Sequence, residues 1–266
     1  IKLLKELVEL IPKKPAKATE LLEAQVNSDS SGMIQMVLAN LYFQAGRLPE
    51  AAEAYQKCLR GYPEFLRAHK NLGLLYLQQG ELDKALTALS RSVELGDNDG
   101  RTYGLIGYCL LNKGKYLPAE TAYRQAVLNS PENLDWIAGL AQTLYNLAKY
   151  EEALALFKDL AAEDPDEQEY WSLMVNVYLN LGDDTKAAST LEIIRRMGQA
   201  SPENLGLLGD IYLNQQAFSL ALEAYQEALK TGDGLPAETP LRTVDILYTY
   251  GSYQLAEQLI EDMRAR

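Results

Sequence analysis

The apolar runs of the chain repeatedly end on an amide side chain. The stretch YLNLGDDTKA shows this at Asn180, two residues before a glycine, and LLNKGKYLPA shows it at Asn112. Because these two asparagines are separated by twice 34 residues, the pattern indicates an internal repeat, which decides the architecture before any single helix is assigned. The amide recurs at this period in six copies, at Gln44, Gln78, Asn112, Asn146, Asn180 and Asn214.

Two further columns keep the same period and consist of small residues. One is alanine throughout, with one extra residue before its last copy: Ala51, Ala85, Ala119, Ala153, Ala187, Ala221 and Ala256. The other lies five positions before each amide: Ala39, Gly73, Gly107, Ala141, Val175 and Gly209. A helix approaches its neighbour closely only where its side chain is small. The columns therefore predict a pair of antiparallel helices in each repeat, with the larger aromatic and aliphatic residues filling the space between them.

Glycine and proline predict where the helices end. A glycine that can adopt positive φ closes the first helix in most copies, at Gly46, Gly80, Gly114 and Gly182. Proline follows the second helix at Pro63, Pro131 and Pro165.

The copies depart from this pattern at four places. Ala148 and Gln216 stand where the turn glycine is expected, and Asp97 stands where the proline is expected. In the fifth copy we expect the second helix to run long, through IIRRMGQAS to Pro202.

The repeat resembles the tetratricopeptide repeat family. The third copy matches the family pattern at Tyr103, Ile106-Gly107, Ala119, Tyr123, Ala126 and Pro131, and the fifth at Trp171, Tyr178, Gly182 and Ala187. The resemblance covers residues 32–266 and implies an all-α fold, a right-handed α-solenoid superhelix of stacked antiparallel helix pairs.

The repeat count gives the expected domain limits. We expect six repeats over residues 32–235 and a degenerate seventh over 236–266. A degenerate repeat or a cap is expected over residues 1–31, because the terminal units of solenoids are usually atypical. We expect this segment to form two helices that are interrupted between Pro12 and Pro15. The chain does not begin with Met, so we also expect residue 1 to be a cut end.

Composition narrows the classes of partner. Lys and Arg total 25 against 37 Asp and Glu, a net charge of −12, which disfavours nucleic acid and anionic lipid. No apolar run approaches the roughly 20 residues of a membrane span. We therefore expect a soluble protein of the cytoplasm or of a bacterial periplasm, with a protein or peptide as partner.

Catalytic chemistry has little support in the sequence. His69 is the only histidine, metal-binding spacings such as HExxH and CxxC are absent, and the two cysteines, Cys58 and Cys109, are expected to be buried packing residues. We predict no enzyme activity, no metal and no cofactor. The alternative is that the chain is the substrate-docking arm of a larger enzyme.

By family resemblance, the first helix of each repeat lines a concave groove. Its non-core positions are therefore the candidate binding residues: Asn40, Arg67, Asn71, Arg101, Tyr108, Asn112, Gln142, Tyr145, Asn146, Asn176, Asn180 and Asn214. One column changes sign along the chain, from Arg67 and Arg101 to Asp135, Glu169 and Glu203. This groove predicts a scaffold or adaptor that binds an extended peptide or a partner helix.

Two questions about these residues stay open at the level of sequence. The recurring amides either cap the ends of their own helices or form a ladder that hydrogen-bonds the backbone of a ligand. By resemblance to co-chaperone members of the family, a terminal carboxylate is an alternative ligand. The corresponding positions here are Met36, Asn40, Asn71, Arg101 and Leu105, which keep only one of three positive charges.

Overall fold

A computed structural model describes residues 10–11, 13–24, 32–230 and 238–265. Within these ranges the backbone forms fifteen α-helices and no β-strand. The predicted break between Pro12 and Pro15 is followed by a helix that begins at Pro15, whereas the helix expected before Pro12 lies outside the described residues. The predicted domain limits near residues 31 and 235 also fall outside the described ranges and remain predictions.

The helices fall into two compact units, residues 1–143 and 144–266. The first unit contains α1 (Pro15–Glu23), α2 (Gly32–Gln44), α3 (Leu48–Gly61), α4 (Leu66–Gln78), α5 (Leu82–Glu94), α6 (Gly100–Asn112), α7 (Tyr116–Asn129) and most of α8 (Leu134–Asn146). The second unit contains the last residues of α8, then α9 (Tyr150–Glu163), α10 (Gln168–Asn180), α11 (Asp184–Arg196), α12 (Pro202–Asn214), α13 (Phe218–Lys230), α14 (Glu238–Thr249) and α15 (Tyr253–Ala265).

Consecutive helices pack as antiparallel pairs. In the first unit the pairs are α2 with α3, α4 with α5, and α6 with α7; in the second they are α10 with α11, α12 with α13, and α14 with α15. The second helix of one pair also packs on the first helix of the next, as α3 does on α4 and α11 on α12. The fold is therefore all-α, a solenoid of stacked helix pairs, and the predicted fold class is confirmed.

Each first helix from α2 to α14 ends in the same hydrogen-bonded turn. The amide of the third residue beyond the helix donates to a carbonyl in the last turn, as in Arg47 N to Tyr42 O at 2.9 Å and Ser252 N to Leu247 O at 2.8 Å. This bond satisfies a carbonyl that has no partner within the helix and requires a left-handed residue one position earlier. The predicted turn glycines have positive φ, and Ala148 and Gln216 adopt the same conformation, at φ 56° and 58°.

The small-residue columns lie in the core. All seven alanines of the alanine column are completely buried. The glycines of the second column lie against a large side chain of the paired helix: a Cβ added at Gly107 would lie 2.8 Å from the ring of Tyr123, and one at Gly209 would lie 2.7 Å from that of Tyr225. Small residues on the first helix thus make room for large residues on the second, as the repeat predicted.

The loop with Asp97 in place of proline contains a buried polar network. The Asp97 carboxylate accepts hydrogen bonds from the Thr102 hydroxyl at 2.7 Å and from the Asp99 amide at 3.1 Å. The Lys70 ammonium lies 3.2 Å from Asp97 and 2.7 Å from Asp99. Because Lys70 belongs to α4 and the two aspartates precede α6, the network joins neighbouring repeats where other copies use proline.

The expectation of a long second helix in the fifth repeat was wrong. Helix α11 ends at Arg196 and has 13 residues. Gly198 adopts φ 71° and donates to Arg195 O at 3.0 Å, while Gln199 donates to Ile194 O at 3.2 Å. A left-handed glycine with these bonds terminates a helix, so the extra residues form a loop that precedes the Ser201 cap of α12.

Candidate interaction surface on the first helices

In the first unit, two of the predicted binding residues form a hydrogen-bonded cluster. The Asn40 Oδ1 atom accepts from the Tyr55 hydroxyl at 2.6 Å and from the Asn71 amide at 2.9 Å. Asn40 lies on α2 and Asn71 on α4, so the bond joins the first helices of two neighbouring repeats. Burial raises the pKa of Tyr55 to about 12, which keeps its hydroxyl protonated and able to donate. The cluster fixes the orientation of both amides.

Three other predicted residues of this unit face solvent. Arg67 on α4, and Arg101 and Tyr108 on α6, are exposed, and their side chains have no hydrogen-bond or ion-pair partner in the described part of the chain. Half-buried apolar residues of the neighbouring column, among them Leu77 and Leu111, lie on the same helices. Exposed donors beside an apolar strip are typical of peptide-binding surfaces.

Two of the recurring amides bind their own helix. The Asn112 amide donates to Tyr108 O at 2.9 Å, and the Asn180 amide donates to Asn176 O at 2.8 Å, each four residues earlier. Each asparagine is the last residue of its helix, so this carbonyl is also the one to which its own backbone amide donates in an α-helix. At these two positions the side chain bonds back onto its own helix, at a carbonyl that does not lack a backbone partner.

In the second unit, Asn180 also joins two tyrosines. Its Nδ2 lies 3.3 Å from the Tyr145 hydroxyl, and its Oδ1 accepts from the Tyr150 hydroxyl at 3.1 Å. The two tyrosine rings are tilted, with centroids 5.8 Å apart. Tyr145 lies at the end of α8 and Asn180 at the end of α10, so consecutive first helices lie side by side here too.

The remaining predicted residues are placed as follows. Asn176 on α10 and Asn214 on α12 are exposed. Gln142 and Asn146 lie on α8, the first half-buried and the second exposed, and both make contacts of their own. The predicted residues therefore lie on the first helices of each unit, where side-chain hydrogen bonds join Asn40 with Asn71 and Tyr145 with Asn180.

The sequence prediction missed how buried tyrosines position this surface. Tyr225 is fully buried on α13, and its hydroxyl donates to Asp210 Oδ1 on α12 at 2.6 Å. Tyr55 and Asn40 are the equivalent pair in the first repeat, with the same separation of 15 residues. A polar residue on the first helix followed 15 positions later by tyrosine is the signal that would have found both pairs.

Residues that first suggested chemistry have structural roles. Cys58 and Cys109 are free thiols and fully buried, as predicted, and burial raises the pKa of Cys109 to about 11. The His69 Nε2 lies 2.8 Å from the Pro63 carbonyl, and Trp171 donates to the Pro165 carbonyl at 2.9 Å from the same column. Among the described residues, no group of three or more His, Cys, Asp or Glu is placed to hold a metal ion.

The cavities found in the first unit lie away from the predicted surface. One of them, of about 670 Å³, is lined by residues of α3, α4 and α5, among them Leu59, Tyr76 and Lys84. Lys84 pairs with Glu81 and lies 5.4 Å from the Tyr76 ring centroid, so its charge is already engaged. None of the predicted binding residues lines this cavity. Over the described ranges, no helix is long and apolar enough to cross a membrane.

Comparison with protein families identifies the repeat. One tetratricopeptide repeat model matches residues 36–100 and 172–236, and a second tetratricopeptide repeat model matches residues 110–177. Together they cover well over half of the chain, which therefore belongs to the tetratricopeptide repeat family. Proteins of this family are typically non-enzymatic modules that bind proteins or peptides. No curated protein matches the chain.

Solved structures show the same fold at low sequence identity. The chain is similar to YrrB, described as a tetratricopeptide repeat protein with an unusual peptide-binding site, at 20% identity and a TM-score of 0.60, over 80% of this chain and 97% of YrrB. It is also similar to a tetratricopeptide repeat protein from Parabacteroides merdae, at 18% identity and a TM-score of 0.56, over 96% and 98% of the two chains. A third structure is MamA from Desulfovibrio magneticus, at 15% identity and a TM-score of 0.58, over 65% and 98%.

Proposed function

We propose that this protein is an adaptor that binds a peptide segment or partner helix on the first helices of its repeats and catalyses no reaction. The observation that carries the proposal is a pair of exposed arginines at the same repeat position of two successive first helices. Arg67 and Arg101 on first helices are exposed and unpaired within the described residues. Lys70, a further cation of α4, is by contrast paired with Asp97 and Asp99.

Two unpaired arginines at equivalent positions of neighbouring first helices favour an external partner there. Arginine is enriched at protein interfaces, and the adjacent apolar strip supplies area to bury. The position of the only histidine, His69, supports the part of the proposal that assigns no catalysis, because its ring nitrogen lies against a backbone carbonyl rather than a nucleophile.

The alternative of a bound terminal carboxylate has less support. Of the two positions that lack the expected positive charge, Met36 is 7% exposed and Leu105 is half-buried. Arg101 alone would compensate the desolvated carboxylate. The Asn40 and Asn71 amides still have N–H groups to donate, but these can donate to any backbone carbonyl as well as to a terminal carboxylate. We therefore propose a binding mode that does not require a free C-terminal carboxylate on the ligand.

Charge reversal on the first helices tests the proposal. Peptides are first selected from a random display library against the wild-type chain. Their binding is then measured with Arg67→Glu/Arg101→Glu and with the control Arg60→Glu/Lys115→Glu, which makes the same charge change at exposed positions outside the first helices. We expect slower association and a flatter salt dependence in the first pair only, because rim charges act mainly on the association rate. Equal behaviour of both pairs would contradict the proposal.

A further inference from the structure

A cavity of about 500 Å³ lies between the start of α2 and the loop that joins α3 to α4. Its walls are mainly apolar and come from Met33, Tyr62, Pro63 and Phe65. Met33 is 53% exposed and Tyr62 is 47% exposed, so part of this apolar surface faces solvent. None of the residues that line the cavity belongs to the predicted binding residues.

Three of these residues are apolar at repeat positions that are polar or glycine in the later copies. The equivalents of Met33 are all charged: Arg67, Arg101, Asp135, Glu169 and Glu203. The equivalents of Tyr62 are Gly96, Ser130, Asp164 and Gly198. The equivalents of Phe65 are Asp99, Asn133, Glu167 and Ser201. The first repeat therefore has apolar side chains at three positions that the other copies keep polar or small, and all three line the same cavity.

The phenylalanine at position 65 takes the place of a helix cap. Phe65 is the N-cap residue of α4, and its side chain makes no capping hydrogen bond. The equivalent residues before α6, α8, α10 and α12 each accept a hydrogen bond from a backbone amide in the first turn. A polar cap stabilises the start of a helix, and the half-buried Phe65 ring packs against the core instead. The repeat forms with a polar residue here, so the fold does not require phenylalanine.

The Tyr62 ring is larger than its packing contact requires. A Cβ added at Gly32, the first residue of α2, would lie 2.5 Å from this ring. In the third copy, Ser130 lies in the same way against Gly100 at the start of α6. A hydroxymethyl group is therefore enough to cover the helix start, and the tyrosine ring adds an apolar wall to the cavity. A wall that is fixed before binding reduces the entropic cost of association.

The cavity continues a column of exposed positive charge. Met33 on α2 occupies the same repeat position as Arg67 on α4, and the Asn40–Asn71 hydrogen bond joins these two helices. Arg101 occupies this position on α6. Neither arginine has a partner within the described residues.

The first helices around the cavity also differ in charge from the second helices. Helices α2, α4 and α6 contain three basic residues and no acid, whereas α3, α5 and α7 each contain as many acids as bases. Glu64 lies at the rim of the cavity, but its equivalents Asn98, Glu132 and Asp166 show that a polar or acidic residue is usual in this loop. The charge of the first helices therefore favours an acidic partner next to the apolar cavity.

We propose that the cavity receives one large apolar side chain of a partner protein, whose neighbouring acidic residues lie against Arg67 and Arg101. Its volume is within the range of specific binding pockets, about 300–1,000 Å³. An apolar side chain in a desolvated pocket usually contributes most of the affinity of an interface, whereas exposed charges act on the association rate. This inference rests on the proposed function and adds the anchor and the charge of the partner.

Variants of the cavity test the anchor. Peptides selected from a random display library against the wild-type chain are measured by fluorescence anisotropy with Met33→Gln/Phe65→Ser. This change removes two apolar walls, keeps the net charge and gives α4 the type of cap that Ser201 provides for α12. The control Leu117→Gln/Leu128→Gln removes two exposed leucines from α7.

We expect the selected peptides to share a Leu, Phe or Trp with acidic residues on one side of it. Their affinity should fall about tenfold in the cavity variant and less than about twofold in the control. Equal losses in the two variants would overturn the proposal. Dependence on the cavity with no acidic residues in the peptides would overturn the assigned charge.

Methyl NMR of Met33 shows whether the cavity is filled by a partner. The chain has five methionines, so labelling with [methyl-¹³C]methionine gives few resonances, and Met33→Gln assigns the one of interest. We expect a selected peptide to shift the Met33 resonance and shield it from a soluble paramagnetic probe, while Met174 of the second unit is unchanged. Shielding in the free chain would mean that the chain fills its own cavity, or that a second copy does if the shielding rises with concentration. Either result would overturn the proposal.

Two further comparisons keep the outcomes distinct. If circular dichroism shows that the double variant loses helix, the single change Met33→Gln decides instead, because more than half of this side chain faces solvent. If the selected peptides respond to Arg67→Glu/Arg101→Glu but not to the cavity variant, the proposed function stands and this inference fails. If they respond to neither, the proposed function fails as well.

Discussion

At the scale of single residues, the protein repeats one backbone conformation with different side chains. The turn after each first helix needs a residue with positive φ, and Ala148 and Gln216 adopt it without being glycine. A left-handed conformation costs a residue with a Cβ about 1–2 kcal/mol relative to the right-handed one. These two turns therefore hold strain that the glycine turns do not.

We expect Ala148→Gly and Gln216→Gly to stabilise the protein. Removing the Cβ relieves the strain, while the greater freedom of glycine in the unfolded chain offsets part of the gain, so the increase is about 0.5–1 kcal/mol per site. The matched reverse change is Gly80→Ala, where the added Cβ meets nothing within 4 Å and only the backbone is strained. The urea midpoint of unfolding is measured for all three variants. If the midpoint falls for Gly80→Ala but does not rise for Ala148→Gly and Gln216→Gly, the turns are not equivalent and the prediction is wrong.

The Asp97 network should make stability depend on pH. Burial alone would raise the pKa of Asp97, but hydrogen bonds from Thr102, the Asp99 amide and Lys70 lower it below its usual value. Between that lowered pKa and the unfolded value of about 4, the unfolded chain binds more protons, so the free energy of unfolding falls as pH falls. The stabilisation is fully present above about pH 4 and is lost in acid.

The variant Asp97→Asn checks this dependence. We expect it to lower the free energy of unfolding by about 1–3 kcal/mol at neutral pH, because a charged acceptor of several hydrogen bonds is lost. Urea titrations between about pH 3 and pH 7 should show the difference from wild type shrinking below about pH 4. The control is Asp135→Asn, an exposed aspartate on α8. A difference that stays constant down to pH 3 would rule out the titration of Asp97.

At the scale of the element, the recurring amides separate local from tertiary effects. Asn112 ends α6 and binds a carbonyl of its own last turn, whereas Asn214 ends α12 at the equivalent position and makes no such bond within the described residues. The same residue type in the same column thus has two environments. Any contribution of the amide to helix termination must differ between them.

We expect Asn112→Ala to cost about 0.5–1 kcal/mol more than Asn214→Ala in the free energy of unfolding. Both substitutions gain the same helix propensity of alanine, so their difference isolates the hydrogen bond to Tyr108 O. Thermal or urea unfolding of the two single variants provides the comparison. Identical losses would show that the bond adds nothing to the end of α6.

At the scale of the whole molecule, the two units differ in charge rather than in architecture. Both are built from the same helix pairs, but the second contains all of the net charge. Like charges within one compact unit repel each other, and salt screens this repulsion over a Debye length of about 10 Å at 0.1 M. The stability of the second unit should therefore depend more strongly on salt.

The two tryptophans report on the units separately, since Trp136 lies in the first and Trp171 in the second. We expect the unfolding midpoint seen by Trp171 to rise by several degrees when salt is raised from about 0.01 M to 0.3 M, and the midpoint seen by Trp136 to rise less. Fluorescence of the single-tryptophan variants Trp136→Phe and Trp171→Phe measures each midpoint. A larger shift at Trp136 would contradict the charge argument.

The sequence by itself determined the helix pairs, their turns and most of the core. A constant period of 34 residues places each residue beside the same neighbours in every copy, so the burial of the alanine column and the positive φ of the turn residues could be predicted. The same reasoning failed at α11, because the left-handed Gly198 ends the helix in a segment where the period alone offered no stop.

Only the tertiary structure decided which polar side chains meet. Asn40 and Asn71 bind each other across 31 residues, and Asn180 reaches Tyr145 across 35, neither of which is the repeat period. The unit boundary, which assigns the whole net charge to residues 144–266, also came from the structure. The physical reason is that close packing gives core residues the same neighbours, at the same sequence separation, in every repeat. A surface side chain can adopt several rotamers and forms a hydrogen bond with whichever partner lies within about 3 Å.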